Sequence, residues 1–429
     1  MPLGLFAAAL LLMLFLGTPT GLSLVGTAIL PGMVQASFPY TVEMAVRSLA
    51  GGMDSFLLLA IPLFMFSGVI MARGGISEKL FNIFAYFFGN AIGGYPIAVV
   101  LTCMFYGAIS GSGPATTAAV GAMSIPFLVK RGYEPVFAAA LVATAGGLGV
   151  IIPPSIPMIA YSSISSVSVG QLFIAGIIPG ILISFCLIVY ARIYCKRHGE
   201  DRVALQAYYH EIRGRGFWAV AKDSFPAMMT PVIILGGIYG GITTPTEAAS
   251  ISVYYALIVS IFYYKTLKWR DLPAILRETV KSYAPLIFVI GCAMVLSRVI
   301  ALMQLSRMLE HFVHMHISSG IAILLMINLV LLIAGMFMEC IPALMIFTPV
   351  MLPLAVGVGM TPMQLGIVMI VNLAIGFVTP PIGINLFVAS NMTGIPALKI
   401  ARSAAPFIIA FLFALMLITF IPAISLCLL

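Results

Sequence analysis

Long apolar stretches separated by short polar loops run along the whole chain. No charged residue occurs from position 135 to 191, or from position 340 to 398. Each of these stretches is longer than the roughly 20 residues that cross a bilayer once. The pattern therefore predicts an all-α protein with many membrane-spanning helices. Glycine, serine and proline interrupt several of the apolar stretches, which indicates broken helices rather than continuous ones.

The same interruptions occur twice along the chain, 227 positions apart. Glycine and proline free or fix the backbone angle φ, so their repetition without a gap indicates a repeated backbone shape. We predict two structural repeats, residues 1–200 and 222–429, joined by a polar cytoplasmic connector at 201–221. The matching residues are Pro126, Gly132, Pro135, Gly149, Pro153, Pro154 and Pro179 in the first repeat and Pro353, Gly359, Pro362, Gly376, Pro380, Pro381 and Pro406 in the second.

Basic residues indicate that the two repeats have opposite orientations in the membrane. The basic pair at 130–131 has an uncharged counterpart at 357–358, and the basic connector corresponds to the uncharged side chains of residues 425–429. Because cytoplasmic loops are enriched in Lys and Arg, equivalent loops are predicted to lie on opposite sides. The segments around Arg73 and Arg298 are both basic, and we interpret both as interfacial.

Inverted repeats need an odd number of crossings each, and we predict five crossings plus one re-entrant helical hairpin per repeat. The hairpins are predicted at 95–129 and 320–356, and interrupted crossing helices at 135–161 and 363–390. An amphipathic segment, Ile76–Phe88, is predicted to lie along the interface, and both termini are predicted outside. The other crossings are predicted at 3–16, 20–35, 55–72 and 171–191, and at 226–241, 246–264, 283–300 and 404–424.

Composition narrows the function to membrane transport. Apolar residues make up 62% of the chain and charged residues 8%, with a net charge of +8. Because the basic residues occupy short loops between apolar stretches, this charge indicates membrane topology and not a nucleic-acid partner. The sequence has no Walker A motif and no Ser-His-Asp or HExxH arrangement, so it predicts neither an ATP-driven pump nor an enzyme. An ion gradient is the remaining energy source, and duplicated helix breaks are typical of secondary transporters.

The turn of the first predicted hairpin, Ser110–Thr117, is too polar and too rich in glycine for a continuous helix in lipid. Pro114 within it favours a real break. Unwound backbone at membrane depth must be buried or line a wet cavity, because lipid satisfies no amide group. Close packing of two helices through small residues is the alternative interpretation.

Each interrupted crossing contains two consecutive prolines, Pro153-Pro154 in the first repeat and Pro380-Pro381 in the second. Tandem prolines remove two backbone donors, so carbonyl oxygens just before them are left free. Hard cations such as sodium prefer such oxygens, whereas the amino termini of half-helices favour anionic groups. A simple kink in a crossing helix is the alternative interpretation.

The turn of the second hairpin contains Glu339 and Pro342 in otherwise apolar sequence. A carboxylate inside a bilayer costs on the order of 3 kcal/mol on insertion scales. Glu339 is therefore predicted either to accompany a cation or take up a proton, or to cap a helix at the interface.

Several of these segments resemble the large membrane subunit of TRAP (tripartite ATP-independent periplasmic) transporters, and the resemblance covers nearly the whole chain. It implies an importer of the bacterial inner membrane, in which a periplasmic binding protein delivers an organic acid to a small four-helix subunit and this large subunit. It also implies sodium coupling and an elevator-type motion, with the small subunit as a separate polypeptide. The acids of the family are C4-dicarboxylates, sialic acids and other sugar acids, and residues 113–116 are compatible with a sialic-acid carrier. The similar segments are Ser110–Ser112, Lys130–Tyr133, Ile151–Met158, Leu172–Gly180 and Thr379–Leu386.

The resemblance and the helix breaks together imply two sodium sites, each between a hairpin tip and the carbonyl groups ahead of a double proline. The substrate is expected between the two tips, near Ser112, Thr116, Ser155 and Asn385. The expected sodium-binding residues are Ser110, Gly111, Ser112, Gly147, Gly149, Ile152, Glu339, Ala343, Gly376 and Thr379, and the residues expected to break helices are Pro114, Pro153, Pro154, Pro342, Pro380 and Pro381.

Two other functions are compatible with the sequence. One is a sodium/carboxylate symporter of related elevator fold that works without a binding protein. The other is an ion channel. Dependence on partner proteins distinguishes the first from a TRAP importer, and currents far above carrier turnover would indicate the second.

Overall fold

A computed structural model gives the fold of the chain. It describes residues 6, 8–10, 12–13, 16–34, 38–317 and 319–429, without the side chains of Ser306, Glu310, Phe312 and His314. Within these ranges the regular structure is helical and contains no strand, which confirms the predicted all-α fold. Half of the residues of the predicted crossing at 3–16 lie outside the described residues.

The helices follow one another with short connections. Those before the connector are α1 (Thr20–Val34), α2 (Val42–Met53), α3 (Ala60–Arg73), α4 (Ile76–Phe88), α5 (Gly94–Ser110), α6 (Gly113–Lys130), α7 (Pro135–Gly146), α8 (Ile156–Ser165) and α9 (Val169–His198). The connector contains α10 (Arg202–Gly214). The later helices are α11 (Phe217–Tyr239), α12 (Pro245–Ile258), α13 (Leu272–Leu302), α14 (Leu305–His316), α15 (Gly320–Phe337), α16 (Cys340–Gly357), α17 (Pro362–Gly376), α18 (Ile384–Thr393), α19 (Ala397–Phe420) and α20 (Ala423–Leu426).

Seven helices of the described chain are long and apolar enough to cross a membrane, so the protein is a multi-pass membrane protein. Ten crossings were predicted from the sequence. Five of the seven match predicted crossings, and the other two are the helices of the second hairpin, α15 and α16. Among the five predicted crossings that have no counterpart in the seven are the two interrupted ones, each of which consists of two short helices, such as α7 with 12 residues and α8 with 10 residues. Large apolar side chains such as Phe185 and Phe413 are exposed on the long helices, as expected for surfaces that face lipid.

Several helix boundaries differ from the sequence prediction, and α13 begins at Leu272, well before the predicted start at 283. Residues 42–53, expected in a loop, form α2, whose amino terminus is capped by the Thr41 hydroxyl accepting a bond from the Met44 N–H. This helix mixes polar with apolar residues and so lacks the apolar run used to predict crossings. Helix α11 begins at Phe217, ahead of the predicted repeat boundary at 222.

The third long helix of each repeat packs on the other repeat. Helix α3 lies along α12, and α13 lies along α1. At one end of the first pair the Thr246 hydroxyl donates to the Phe56 carbonyl oxygen at 3.2 Å, and at the other end Thr266 donates to the Gly74 carbonyl oxygen at 3.1 Å. Helices α3 and α12 are therefore parallel, as inverted repeats require.

Helices α3 and α13 occupy equivalent places in the two repeats, and the carboxyl end of α3 lies beside the amino-terminal part of α13. Arg73, the last residue of α3, forms an ion pair with Glu278 near the start of α13. The predicted topology places both of these ends on the cytoplasmic side. This contact between counterparts is the one that the predicted inverted arrangement would give, and the division into two inverted repeats stays a prediction.

Two helical hairpins and two broken helices form the other part of the molecule. The first hairpin consists of α5 and α6, and the second of α15 and α16. Helices α7 and α8 are separated by the first break, residues 147–155, and α17 and α18 by the second break, residues 377–383. The peptide bonds Pro153–Pro154 and Pro380–Pro381 are both cis.

Candidate functional site

The tip of the first hairpin, residues 110–113, is a turn rich in oxygen atoms. Gly111 reverses the chain with a φ of +62°, a conformation that suits glycine because it has no Cβ. The Ser110 Oγ lies 2.8 Å from the Thr116 Oγ1, which donates to the Ser112 carbonyl oxygen at 2.8 Å. Two hydroxyl oxygens and one carbonyl oxygen are therefore clustered at this tip.

The first break lies directly against the first hairpin. The Ile156 N–H donates to the Gly111 carbonyl oxygen at 3.2 Å. A Cβ added to Gly149 would lie 2.6 Å from the Ser112 carbonyl oxygen, and one added to Gly107 would lie 2.8 Å from the Gly149 Cα. Backbone thus touches backbone, and a larger residue at Gly149 would separate the tip from the break.

The second hairpin and the second break repeat this arrangement. The Ile382 N–H donates to the Met336 carbonyl oxygen at 3.2 Å. A Cβ added to Gly376 would lie 2.6 Å from the Gly335 Cα. The Thr379 hydroxyl donates to the Ile375 carbonyl oxygen at 2.8 Å, within its own turn.

Glu339, at the tip of the second hairpin, is exposed rather than buried. It occupies the position just before α16, but its side chain caps no described backbone group. The capping interpretation is therefore not supported by the structure. The side chain instead lines the cavities between the hairpins.

The two hairpin tips meet around a small cavity of about 40 Å³. A water molecule occupies about 30 Å³ in the liquid, so this space suits a water molecule or an ion and not an organic acid. Each repeat contributes a tip and a break. The lining includes Gly111, Ser112, Val150, Glu339, Cys340 and Phe377.

A much larger cavity, which we call the central cavity, opens beside the small one and has a volume of about 740 Å³. This is within the range of small-molecule sites. One wall comes from the hairpin tips and the opposite wall from α3 and α13. The polar and charged lining residues are Arg73, Tyr106, Ser110, Ser112, Glu278, Lys281, Ser282 and Glu339.

An ion pair lies in the wall of the central cavity. The Arg73 Nε donates to the Glu278 Oε2 at 3.1 Å, and the Nη2 contacts the same oxygen. The two side chains are 44% and 47% exposed, so the pair contributes at most about 1 kcal/mol to stability. Lys281 is three residues after Glu278 on α13 and so lies on the same helix face.

Sequence reasoning missed these charged residues. The sequence alone predicts Arg73 to be interfacial and assigns no role to Glu278 or Lys281. Arg73 and Glu278 are 205 positions apart, so no local pattern could pair them. The available signal was that the predicted topology places both helix ends on the same side.

The structure places Ser112 in the lining of the central cavity, but Thr116, Ser155 and Asn385 lie outside its described lining. Ser155 is buried, donates to the Val150 carbonyl oxygen at 2.5 Å and caps α8. Asn385 is also buried, and its Nδ2 donates to the Ala143 carbonyl oxygen at 2.9 Å. The Ser155 side chain therefore stabilises the first break and the start of α8, and the Asn385 side chain joins α18 to α7.

Among the expected sodium-binding residues, Ser110, Gly111, Ser112 and Gly149 come together at the first tip. The Gly147 backbone instead faces Ala374 and Phe411, and the Ile152 side chain packs on Gly180 of α9. At the second tip, Gly376 meets the hairpin backbone, whereas Ala343 is buried in the first turn of α16. The predicted helix breakers Pro114 and Pro342 lie in the first turns of α6 and α16, where proline is tolerated.

Glu200, directly before the connector, and Leu205 within it bind the base of the first hairpin. The Glu200 Oε1 accepts bonds from the Tyr133 hydroxyl at 2.6 Å and from the Gly93 N–H at 3.0 Å. Burial, assisted by the bond to Glu200, raises the pKa of Tyr133. The Tyr95 hydroxyl donates to the Leu205 carbonyl oxygen at 2.9 Å. No motif in the connector predicted these contacts.

Paired hairpins and broken helices around a charged cavity define a membrane transporter. The family model "Tripartite ATP-independent periplasmic transporter, DctM component" matches residues 7–424. The chain belongs to this family and is the large permease of a TRAP transporter. It is accordingly a transport protein and not an enzyme.

Named relatives from bacteria cover nearly the whole chain. The isethionate TRAP transporter permease protein DctMQ of Oleidesulfovibrio alaskensis is 40% identical over 99% of this chain, which spans 66% of that relative's length. The C4-dicarboxylate TRAP transporter large permease protein DctM of Pseudomonas aeruginosa is 40% identical over 90% of each chain. The sialic acid TRAP transporter large permease protein SiaM of Vibrio cholerae is 33% identical over 96% of this chain and 97% of its own.

Two solved structures share the fold. The YdaH transporter of Alcanivorax borkumensis aligns with a TM-score of 0.60 at 13% identity, covering 96% of this chain and 97% of that one. MtrF of Neisseria gonorrhoeae aligns with a TM-score of 0.64 at 10% identity, covering 93% and 94%. At sequence identities this low, the similarity shows a shared fold and says nothing about the substrate.

Proposed function

We propose that this permease imports an organic anion across the bacterial inner membrane, coupled to sodium entry. A periplasmic binding protein would deliver the anion, and a small four-helix membrane subunit would complete the transporter. The observation that carries the proposal is the central cavity, where both hairpin tips face Arg73 and Lys281.

The lining of the central cavity carries two cations and the carboxylates of Glu278 and Glu339, so the proposal of an acidic substrate rests on the cations together with the named relatives. Arg73 and Lys281 supply two positive charges on one wall, and Ser110 and Ser112 supply hydroxyl groups on the other. Relatives are named for isethionate, C4-dicarboxylates and sialic acid, all of which are anions at neutral pH. The relatives named for the two smaller acids are each 40% identical, so we propose a small carboxylate or sulfonate before a sialic acid.

Sodium coupling is proposed from the hairpin tips. The Ser110, Ser112 and Thr116 oxygens cluster where the first break approaches, and hard monovalent cations bind such neutral oxygens at unwound backbone. The tips also border the small cavity. Sodium bound at a tip would hold the hairpin and the break together beside the anion. Binding of sodium would therefore favour binding of the anion.

An elevator-type motion is proposed from the packing. Each hairpin contacts its break through backbone, so the hairpins and broken helices form one body. Helices α1–α3 and α11–α13 pack on one another across the repeats and form a second body. The central cavity lies where the two bodies face each other.

The test is uptake into liposomes that contain this chain and its small subunit, with the binding protein outside. Radiolabelled succinate, isethionate and N-acetylneuraminate are supplied under an inward sodium gradient or with choline instead. We expect uptake of one class of acid that requires both sodium and the binding protein. Uptake with choline would contradict sodium coupling. Uptake without the binding protein would favour a self-sufficient symporter, and single-channel currents would favour a channel.

A further inference from the structure

The Arg73–Glu278 ion pair connects α3 and α13 exactly where these helices face the hairpin tips across the central cavity. Both contacting nitrogens of Arg73 point to one carboxylate oxygen, Oε2. A guanidinium binds a carboxylate best through two parallel bonds to two oxygens. The pair is therefore not in the strongest geometry, and both side chains are accessible from the cavity.

Glu278 is itself a carboxylate, which is the group that a carboxylate substrate would present to Arg73. Lys281, one turn further along α13, lies beside Glu278 and also lines the cavity. If an incoming acid takes the place of Glu278 on Arg73, Glu278 keeps a positive neighbour in Lys281. After the exchange Arg73 and Glu278 each still have an oppositely charged neighbour, and Glu339 on the opposite wall takes no part in it.

We infer that Arg73 and Lys281 form a receiving site for an acidic group of the transported anion, and that Glu278 occupies Arg73 when no anion is bound. The inference rests on the proposed function and adds the residues that select the charge of the substrate. Neutral compounds cannot displace Glu278, because they offer no charge to replace it. Selectivity for acids follows from this competition.

A purely structural clamp between α3 and α13 would behave differently. Loss of either partner of a clamp weakens the same contact, so both single substitutions would harm the protein in the same way. Under the competition described here, the two substitutions have opposite effects on anion affinity.

The experiment measures equilibrium binding of radiolabelled succinate, isethionate and N-acetylneuraminate to the purified complex of this chain with its small subunit, at saturating sodium. Glu278→Gln removes the competitor and is expected to lower the Kd roughly threefold, the scale of an exposed ion pair. Arg73→Gln is expected to raise the Kd about tenfold or more, the scale of a lost charge-assisted hydrogen bond. The Kd of the double variant R73Q/E278Q should lie between those of R73Q and the wild type, because Lys281 is also freed from Glu278, and Arg73→Lys should recover part of the affinity.

A matched control is the exposed Arg47–Glu43 pair on α2, which lies outside the described lining of the cavity. Arg47→Gln and Glu43→Gln should leave the Kd unchanged. The inference would be overturned if R73Q and E278Q change the Kd in the same direction, or if E278Q leaves the Kd unchanged. If R73Q cannot be purified, the Kd values of E278Q and R73K serve as the test. A wild-type complex that binds none of the three acids would instead refute the proposed function.

Discussion

Gly335 of α15 and Gly376 at the end of α17 contact each other through their backbones, with a Cβ on Gly376 lying only 2.6 Å from the Gly335 Cα. Gly107 and Gly149 make the same kind of contact in the first repeat. Each hairpin therefore reaches its break only because both residues lack a side chain. Substitution of these glycines tests whether the close approach is required for transport.

We expect Gly376→Ala and Gly149→Ala each to destabilise the transporter by about 1–3 kcal/mol, because the added methyl group overlaps backbone that cannot move aside. Thermal unfolding in detergent and uptake into liposomes measure the effect. The control is Gly236→Ala in α11, where no described atom lies within 4 Å of the added Cβ. That change should raise stability by roughly 0.5–1 kcal/mol, as glycine-to-alanine changes in helices do.

The double substitution Pro153→Ala with Pro154→Ala is expected to reduce sodium-dependent uptake at least about tenfold, the scale of one lost ligand interaction. Alanine restores two backbone donors and permits the helix to continue through residues that now form the first break. Pro406→Ala in the uninterrupted helix α19 is the control and should leave uptake close to that of the wild type. Wild-type uptake by P153A/P154A would rule out a sodium site at the first break.

Ser110→Ala is expected to raise the sodium concentration for half-maximal uptake by about threefold or more, because it removes one oxygen of the tip cluster. Uptake at saturating sodium should change less. Ser124→Ala, on the second helix of the same hairpin, removes a buried hydroxyl that only bonds the Val120 carbonyl oxygen at 2.8 Å. If both variants shift the sodium dependence equally, the tip is not a sodium site.

Glu200→Ala is expected to lower the stability of the transporter by about 1–3 kcal/mol, because the Tyr133 hydroxyl and the Gly93 N–H lose a buried acceptor. Sodium affinity should not change. Thermal unfolding and the sodium dependence of uptake are measured together. Glu211→Ala on α10, whose side chain is 61% exposed, serves as the control and should alter stability by less than about 0.5 kcal/mol.

The prolines in the sequence predicted the helix breaks because proline acts on the backbone of its own turn. Pro153 and Pro380 restrict their own turns whatever surrounds them, so the helix breaks were visible from the residues alone. Ile76–Phe88 was predicted with the bounds of α4, because its apolar positions follow the helical period.

Side-chain partners could not be predicted in the same way. Asn385 has suitable chemistry for binding substrate, but its side chain joins α18 to α7 through the Ala143 carbonyl oxygen, 242 positions away. Arg73 and Glu278 meet only because two helices from different repeats are adjacent. Contacts of this kind depend on the distances between remote segments of the folded chain. A single sequence does not give these distances.

The pairing of α3 with α12 also sets an order of events during synthesis. Thr246 follows Phe56 by 190 residues, so the ribosome must produce both hairpin helices of the first repeat and the connector before α3 meets its partner. Until then the face of α3 that contacts α12 remains against lipid or the insertion machinery. The amino-terminal half must therefore persist in the membrane as an incomplete assembly, and a chain stopped before residue 245 would leave that face uncovered.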